Sequence, residues 1–289
     1  MKLPVRYPQI DFESCFPKWA PDLEFSMMMN SNSILPAHLE PYIIKVFAQA
    51  KPHLDPVRDA ALIRELDWFV AQEAQHYRQH IRFNRVFQTA RYPEVEKLGK
   101  AYAADLDGFL KNRSLIFNLA YTEGFESGGG VFYRLWFEKL RAFRMGANEE
   151  ALKLWDWHYA EEFEHREVAY KIYMAVAARG NWARRIWYGY FYRVYGVLRM
   201  IAHGTQYSRP IAQHLLEVER GDMTPAEAAE SKKRHKRLTR KITGMTMGGL
   251  LAVLSPFYNP ARKPPPKGLD EVLQQFDTGG SSAKIPAKA

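Results

Sequence analysis

Two short stretches of this chain, Glu73-Ala74-Gln75-His76 and Glu162-Phe163-Glu164-His165, repeat the pattern Glu-x-x-His at an interval of 89 residues. On a helix, positions three apart lie on one face about a turn apart, so a carboxylate and an imidazole can share one metal ion. Two such helices, plus one Glu from each of two further helices, supply the ligands of a dinuclear carboxylate centre. The chain offers those glutamates. Glu40 precedes Glu73 by 33 residues and Glu126 precedes Glu162 by 36, whereas Glu123 precedes it by 39. The better-matched interval favours Glu126, although Glu123 lies one turn away and could also reach.

Two more histidines extend these faces. His80 lies four residues after His76, and His158 lies four before Glu162 and seven before His165. A simple centre of this kind needs one His per metal, so His80 and His158 read either as further ligands or as outer partners that orient the first ones. A single Glu-x-x-His is common on helix surfaces. Two of them, each with an in-phase His and an upstream helical Glu, are hard to reach by chance. Trp68, Phe69, Ile81, Trp155 and Phe163 place bulky apolar groups around the polar positions, and burying carboxylates among them without a cation is costly.

The elements that must position these residues read as helices throughout. There is no sustained period-two alternation and no Asn-Gly hairpin. A helical pattern covers 39–50. Asp55-Pro56 reads as a cap followed by first-turn proline, opening a long helix over 56–91 that Tyr92-Pro93 ends. A third helical block follows, then 113–144. Asn148 can cap the next helix, with Glu149 and Glu150 in its first turn and a run to about 178 before Arg179-Gly180-Asn181. The stretch 182–203 reads as a bundle helix using arginine stems as cover, and Thr224 reads as the cap of another helix. The expected fold is therefore all-α: a four-helix metal-binding core over 36–205, preceded by a wrapping segment over 1–35 and followed by additional helices over 206–260. The tail 261–289, rich in Pro, Gly and Ser, is expected to be disordered.

The segments FVAQEAQHYRQHIRFN (69–84) and LWDWHYAEEFEHREVAYKIY (154–173) resemble the signatures of the family called predicted metal-dependent hydrolases. The resemblance spans 35–205 and implies a ferritin-like bundle of the di-iron-carboxylate class. The spacing Thr122-x-x-x-Glu126 is similar to that family's third motif, which again favours Glu126 over Glu123. That motif often carries His after its Glu; here the position is Ser127, so one outer ligand departs from the pattern.

Composition limits the alternatives. The single Cys15 excludes a disulfide framework and any cysteine-based zinc or iron–sulfur site. The first residues lack the apolar core of a signal peptide, and no stretch reaches 18 consecutive apolar residues, so a spanning helix is not expected. These features fit a cytoplasmic protein. The net charge of +9 concentrates in Lys232-Lys233-Arg234-His235-Lys236-Arg237 with Arg240-Lys241, directly before the apolar stretch 242–259. Solvated helix face and peripheral contact with an acidic inner membrane face are the two readings of 232–259; sequence-specific nucleic-acid binding is not expected, and a homodimer is left open.

The metal ligands expected from all this are Glu40, Glu73, His76, His80, Glu126, His158, Glu162 and His165, with Glu73, Glu126 and Glu162 as the catalytic carboxylates. Two metal ions would bind, iron first, with manganese or zinc as alternatives. By analogy with the scaffold, the main expectation is oxygen-dependent oxidation of a small apolar substrate. The competing readings are a hydrolase whose metal pair activates water and a non-catalytic metal- or oxygen-handling protein. Gly128-Gly129-Gly130, just past Glu126, reads either as room beside the metals or as close helix packing.

Overall fold

The computed structural model describes residues 4–277, among which there is no strand. The all-α expectation holds. The elements are α1 (Leu23–Ala50), α2 (Ala60–Asn84), α3 (Pro93–Asn112), α4 (Leu115–Glu138), α5 (Arg141–Arg144), α6 (Glu149–His165), α7 (Val168–Tyr173), α8 (Trp182–Ile186), α9 (Arg193–Gly221), α10 (Pro225–Val253) and α11 (Leu269–Asp277). Wide π turns follow α7 over Met174–Ala178 and α8 over Trp187–Tyr192. Helices α1, α2, α4 and α6 form a closed ring: α1 packs on α2 and α4, and α6 packs on the same two. Helix α9 covers α1, α3 and α4 from outside, and α10 lies across α1, α4 and α9.

Helix α1 starts at Leu23, capped by Asp22, well before the Leu39 read from the sequence. Its first half hides in sequence because a run of Ser and Asn and the internal Pro36 oppose a helical pattern. Here the polar groups are buried with partners. Asn30 accepts from the Trp19 indole at 2.8 Å and donates to the Pro17 carbonyl at 2.8 Å, while Ser26 bonds Ala20. These bonds tie residues 17–20 to α1. Pro36 and Pro41 each leave the carbonyl four residues earlier without a helical donor, yet α1 runs through both as one helix.

Other boundaries shift by less. Helix α2 ends at Asn84 rather than near 91, and Pro93 starts α3 instead of ending α2. The expected caps are present: Asn148 accepts from Ala151 N at 3.0 Å, and Thr224 with Glu227 forms a reciprocal capping box. The basic run and the apolar stretch are not separate pieces, since α10 carries both to Val253. No helix among the described residues is long and apolar enough to cross a membrane. Of the stretch 261–289 expected to be disordered, the part up to Asp277 is ordered, and 278–289 lies outside the described residues. Helix α11 packs on α6 and sets Val272, Leu273 and Phe276 against the core, an i, i+1, i+4 apolar face too short to stand out in a Pro- and Gly-rich tail.

Helices α4 and α9 approach more closely than side chains allow. A Cβ on Gly196 would sit 2.4 Å from the Ala120 carbonyl oxygen, and one on Gly124 would sit 2.8 Å from the Val197 Cα. Glycine is required at both positions by the contact itself. The close crossing brings Arg193, near the start of α9, into the interior.

Candidate metal centre

The ring of α1, α2, α4 and α6 turns Glu40, Glu73 with His76, Glu126, and His158 with Glu162 and His165 towards one interior volume. All seven are buried. Two groups of potential ligand atoms form, each with its atoms within 4.8 Å of one another: Glu40, His76, His158 and Glu162, and Glu73, His76, Glu162 and His165. Glu162 and His76 belong to both. Glu162 Oε1 lies 3.6 Å from His158 Nε2, 3.8 Å from His76 Nδ1 and 3.9 Å from His165 Nε2, so one carboxylate oxygen faces three imidazoles.

A test of fit comes from hydrogen bonding. Buried polar atoms nearly always have partners, yet both carboxylate oxygens of Glu40, Glu73 and Glu126, Oε1 of Glu162, Nδ1 of His76 and both ring nitrogens of His165 have none among the described residues. His165 Nε2 approaches Glu73 Oε1 to 3.1 Å without aligning as a hydrogen bond. Lone pairs converge on space instead of on protons, as ligands around a cation do. Burial and then mutual repulsion hold the carboxyls of Glu40, Glu126 and Glu162 well above the usual range. Burial disfavours charge on His76 too, but Glu73 and a bond to Glu161 push it well above its ordinary value. Without cations the cluster must retain protons; divalent ions would replace them. The residues fit two metals.

The protons around the centre can be assigned from the hydrogen bonds. Asn84 Nδ2 donates to the Ser33 carbonyl at 3.2 Å, leaving Asn84 Oδ1 to accept from the Ser33 hydroxyl at 2.6 Å. That hydroxyl has spent its one proton, so it must accept from His80 Nδ1 at 2.7 Å. Burial keeps His80 and His158 neutral, well below their ordinary values. His80 Nε2 is therefore bare and accepts from His158 Nδ1 at 3.3 Å. His158 Nε2 is in turn bare and faces Glu162. A relay starting at Asn84 thus fixes the tautomer that a metal needs.

Neither His80 nor Glu126, both expected as ligands, belongs to either tight group. His80 orients His158. Glu126 Oε2 stands 3.4 Å from His165 Nδ1, on the ring edge opposite Glu73. Glu123 turns away altogether: its Oε1 accepts from Ser127 Oγ at 2.6 Å and from Arg193 Nη1 at 3.1 Å. Ser127, where the resembling pattern often has His, serves Glu123 and not the centre.

Sequence spacing missed Glu161, which accepts from His76 Nε2 at 3.0 Å and so leaves Nδ1 free to face the other ligands. Glu161 is itself held by Arg6 Nη1 at 3.0 Å, and the same guanidinium reaches Glu164 at 2.7 Å and Asp277 at 2.7 Å. The doubled glutamate Glu161-Glu162 was the available signal, but the partner lies 155 residues away. Glu161→Gln is expected to weaken metal binding by about 10–100-fold, the usual cost of losing an outer carboxylate, measured by competition with a chromogenic chelator.

Aromatic rings complete the walls. Phe69 meets His165 edge-on at 4.6 Å, Trp157 meets His76 at 4.8 Å, and Trp155 meets His80 at 5.1 Å. Ile81, expected in this shell, faces outward and is 38% exposed. An apolar cavity of about 250 Å³ opens from the centre, with His158 and Glu162 in its floor and Phe125, Phe132, Met200 and Leu250 among its walls. Gly128 and Gly129 line it, and a Cβ on Gly129 would meet Glu162 Oε2 at 3.0 Å. Helix α4 runs unbroken through the three glycines, so at Gly129 their smallness clears space beside the centre.

Neither a curated protein nor a solved structure matches the chain. The sequence model of one family, described as "Predicted metal-dependent hydrolase", matches residues 4–263, from the wrapping segment through the four ligand-bearing helices to the turn after α10. With nearly its whole length matched and a buried His/Glu cluster at its centre, the chain belongs to the predicted metal-dependent hydrolase family.

Proposed function

We propose that this chain is a hydrolase with a dinuclear metal centre, cleaving an acyl–oxygen or acyl–nitrogen bond in a small substrate that carries an apolar group. The observation that carries the reading is the position of Glu162 and His158, which are at once members of the candidate ligand groups and the floor of the apolar cavity. Two divalent ions held there would supply Lewis acidity, polarising the acyl oxygen and lowering the pKa of water.

The chain's own residues do the rest. Glu40 and His158 hold one side of the centre, Glu73 and His165 the other, and Glu162 lies between. His76 presents Nδ1 because Glu161 keeps its Nε2 proton. Glu126 Oε2, 3.4 Å from His165 Nδ1, would accept that proton if Nε2 were a ligand, a positioning role that would leave Glu73 and Glu162 at the reacting centre. The cavity wall holds the apolar group by burial and excludes bulk water from one side of the centre.

A second reading, oxygen-dependent oxidation at an iron pair, is favoured by one observation. Apart from the ligand candidate Glu162, no lysine, arginine, aspartate or glutamate among the described residues lines the cavity to hold a polar head group. One experiment separates the two. The protein is loaded with zinc, manganese or iron and given nitrophenyl esters of increasing acyl length, with oxygen uptake followed in parallel. Metal-dependent release of nitrophenol that improves with acyl length and is abolished by a chelator is the expected result. Oxygen consumption by the iron form with no ester cleavage by any form would overturn it in favour of oxidation.

A further inference from the structure

We propose that the end of the molecule formed by α8, the start of α9 and the end of α10 docks on an anionic lipid bilayer, at the mouth of the cavity. Most of the large apolar side chains that the fold leaves exposed gather there. Trp182 is 75% exposed, Trp187 57%, Leu251 61% and Phe257 85%. On α9 and the turn before it, Trp187, Phe191, Tyr195 and Leu198 recur at three- and four-residue intervals and form one exposed stripe. On α10 the exposed stripe runs Lys232, Lys236, Arg240, Met247 and Leu251, basic in its first half and apolar in its second.

The two apolar halves lie at the same end. Arg193 Nη2 donates to the Val253 carbonyl, and Val197 packs with Val253 and Tyr258. An exposed patch of this kind marks an interaction site. Its chemistry selects the bilayer interface: indole and phenol rings favour the head-group level, and flanking lysines and arginines favour anionic lipid. The basic residues on this stripe are also the ones the fold does not use. Arg234 is committed to buried Glu24 at 3.0 Å, and Arg237 to Glu230 at 2.9 Å, whereas Lys232, Lys236 and Arg240 point to solvent. No helix among the described residues is long and apolar enough to span, so the contact proposed is with the surface.

The patch is continuous with the cavity. Ile201 and Leu250 line the cavity, and Leu198 and Met247 stand one turn before them on the exposed stripes. An amphiphile could slide from the acyl layer between α9 and α10 to Glu162 without crossing water. Docking itself does not depend on which reaction the centre performs.

The test is cosedimentation of the full chain with vesicles of phosphatidylcholine alone or of phosphatidylcholine mixed with phosphatidylglycerol. Binding is expected to the mixed vesicles, to weaken with added salt, and to be weak on phosphatidylcholine alone. Trp187→Ser with Leu251→Ser, and separately Lys236→Glu with Arg240→Glu, should each reduce partitioning at least about tenfold. Both variants should keep the wild-type metal content and thermal midpoint, which separates a docking failure from a failure of the metal centre. Absence of binding to either vesicle type, or wild-type binding by both variants, would overturn the proposal. So would a dimer in light scattering that Trp187→Ser with Leu251→Ser dissolves while vesicles are ignored, since the patch would then be a self-contact.

Discussion

Glu162→Gln is expected to lower metal content below two ions per chain, weaken what remains by more than about 100-fold and remove hydrolysis to the same degree. The lower bound follows from outer-shell losses, which already cost about 10–100-fold. Glu162 is the one carboxylate shared by both ligand groups and its Oε1 faces three histidines within 4 Å. Gln keeps the volume and removes the charge, so packing is not the variable. A second signature accompanies the first. In the metal-free protein, burial and then the neighbouring Glu126 and Glu73 carboxylates hold the Glu162 carboxyl well above its usual range, so metal-free Glu162→Gln should be at least as stable as metal-free wild type. The stabilisation that saturating metal gives wild type through linkage should largely vanish. Metal analysis beside thermal melts, with and without metal, reads both. Two ions retained at wild-type affinity would exclude Glu162 as the bridge.

Arg193→Ala is expected to cost about 3–5 kcal/mol, the penalty for leaving a buried charge without its partner, and to lower the melting midpoint by on the order of 10 °C. Arg193 is 1% exposed; it donates to Glu123, donates to the Val253 carbonyl and lies 4.7 Å over the Tyr258 ring. One side chain thus joins α4, α9 and α10. Burial already raises the Glu123 carboxyl above its usual range against the pull of Arg193 and Ser127, and losing Arg193 raises it further. The sign of the pH effect follows. In the variant the native state binds a proton on Glu123 that the unfolded chain releases, so stability should recover as pH falls from neutral through that raised value towards the ordinary carboxylate range. Denaturation midpoints at pH 7.5 and 5.5 would show it. Arg193→Met combined with Glu123→Leu should recover most of the loss, because an apolar pair in place of a buried ion pair is often neutral.

What could be read from the sequence was what repeats at helical period. The Glu-x-x-His pair, its in-phase histidines and the caps at Asn148 and Thr224 are local patterns, and the fold puts them on helices as their spacing requires. The first half of α1 was not legible, because Pro36 and a run of Ser and Asn look like loop until the polar residues' partners, on residues 17–20 and on α2, are known. Spacing favoured Glu126 over Glu123 but left both in reach: they sit on α4 one turn apart, and it is Arg193, 70 residues on, with Ser127, that claims Glu123. Glu161 escaped for the same reason, its role being set by His76 and Arg6 from opposite parts of the chain. Helix propensity is local; the assignment of a carboxylate to metal, guanidinium or imidazole is a tertiary event.

The Arg6 clamp has a consequence for biosynthesis. Arg6 leaves the ribosome 271 positions ahead of its partner Asp277. Both Glu-x-x-His helices are outside once residue 165 has emerged, whereas the last arm of the clamp behind His76 waits for Asp277. At ordinary elongation rates that interval is on the order of ten seconds. Throughout it every side chain of the two candidate ligand groups has been made while the outer latch has not, so the clamp behind His76 is completed only well after the ligands themselves exist.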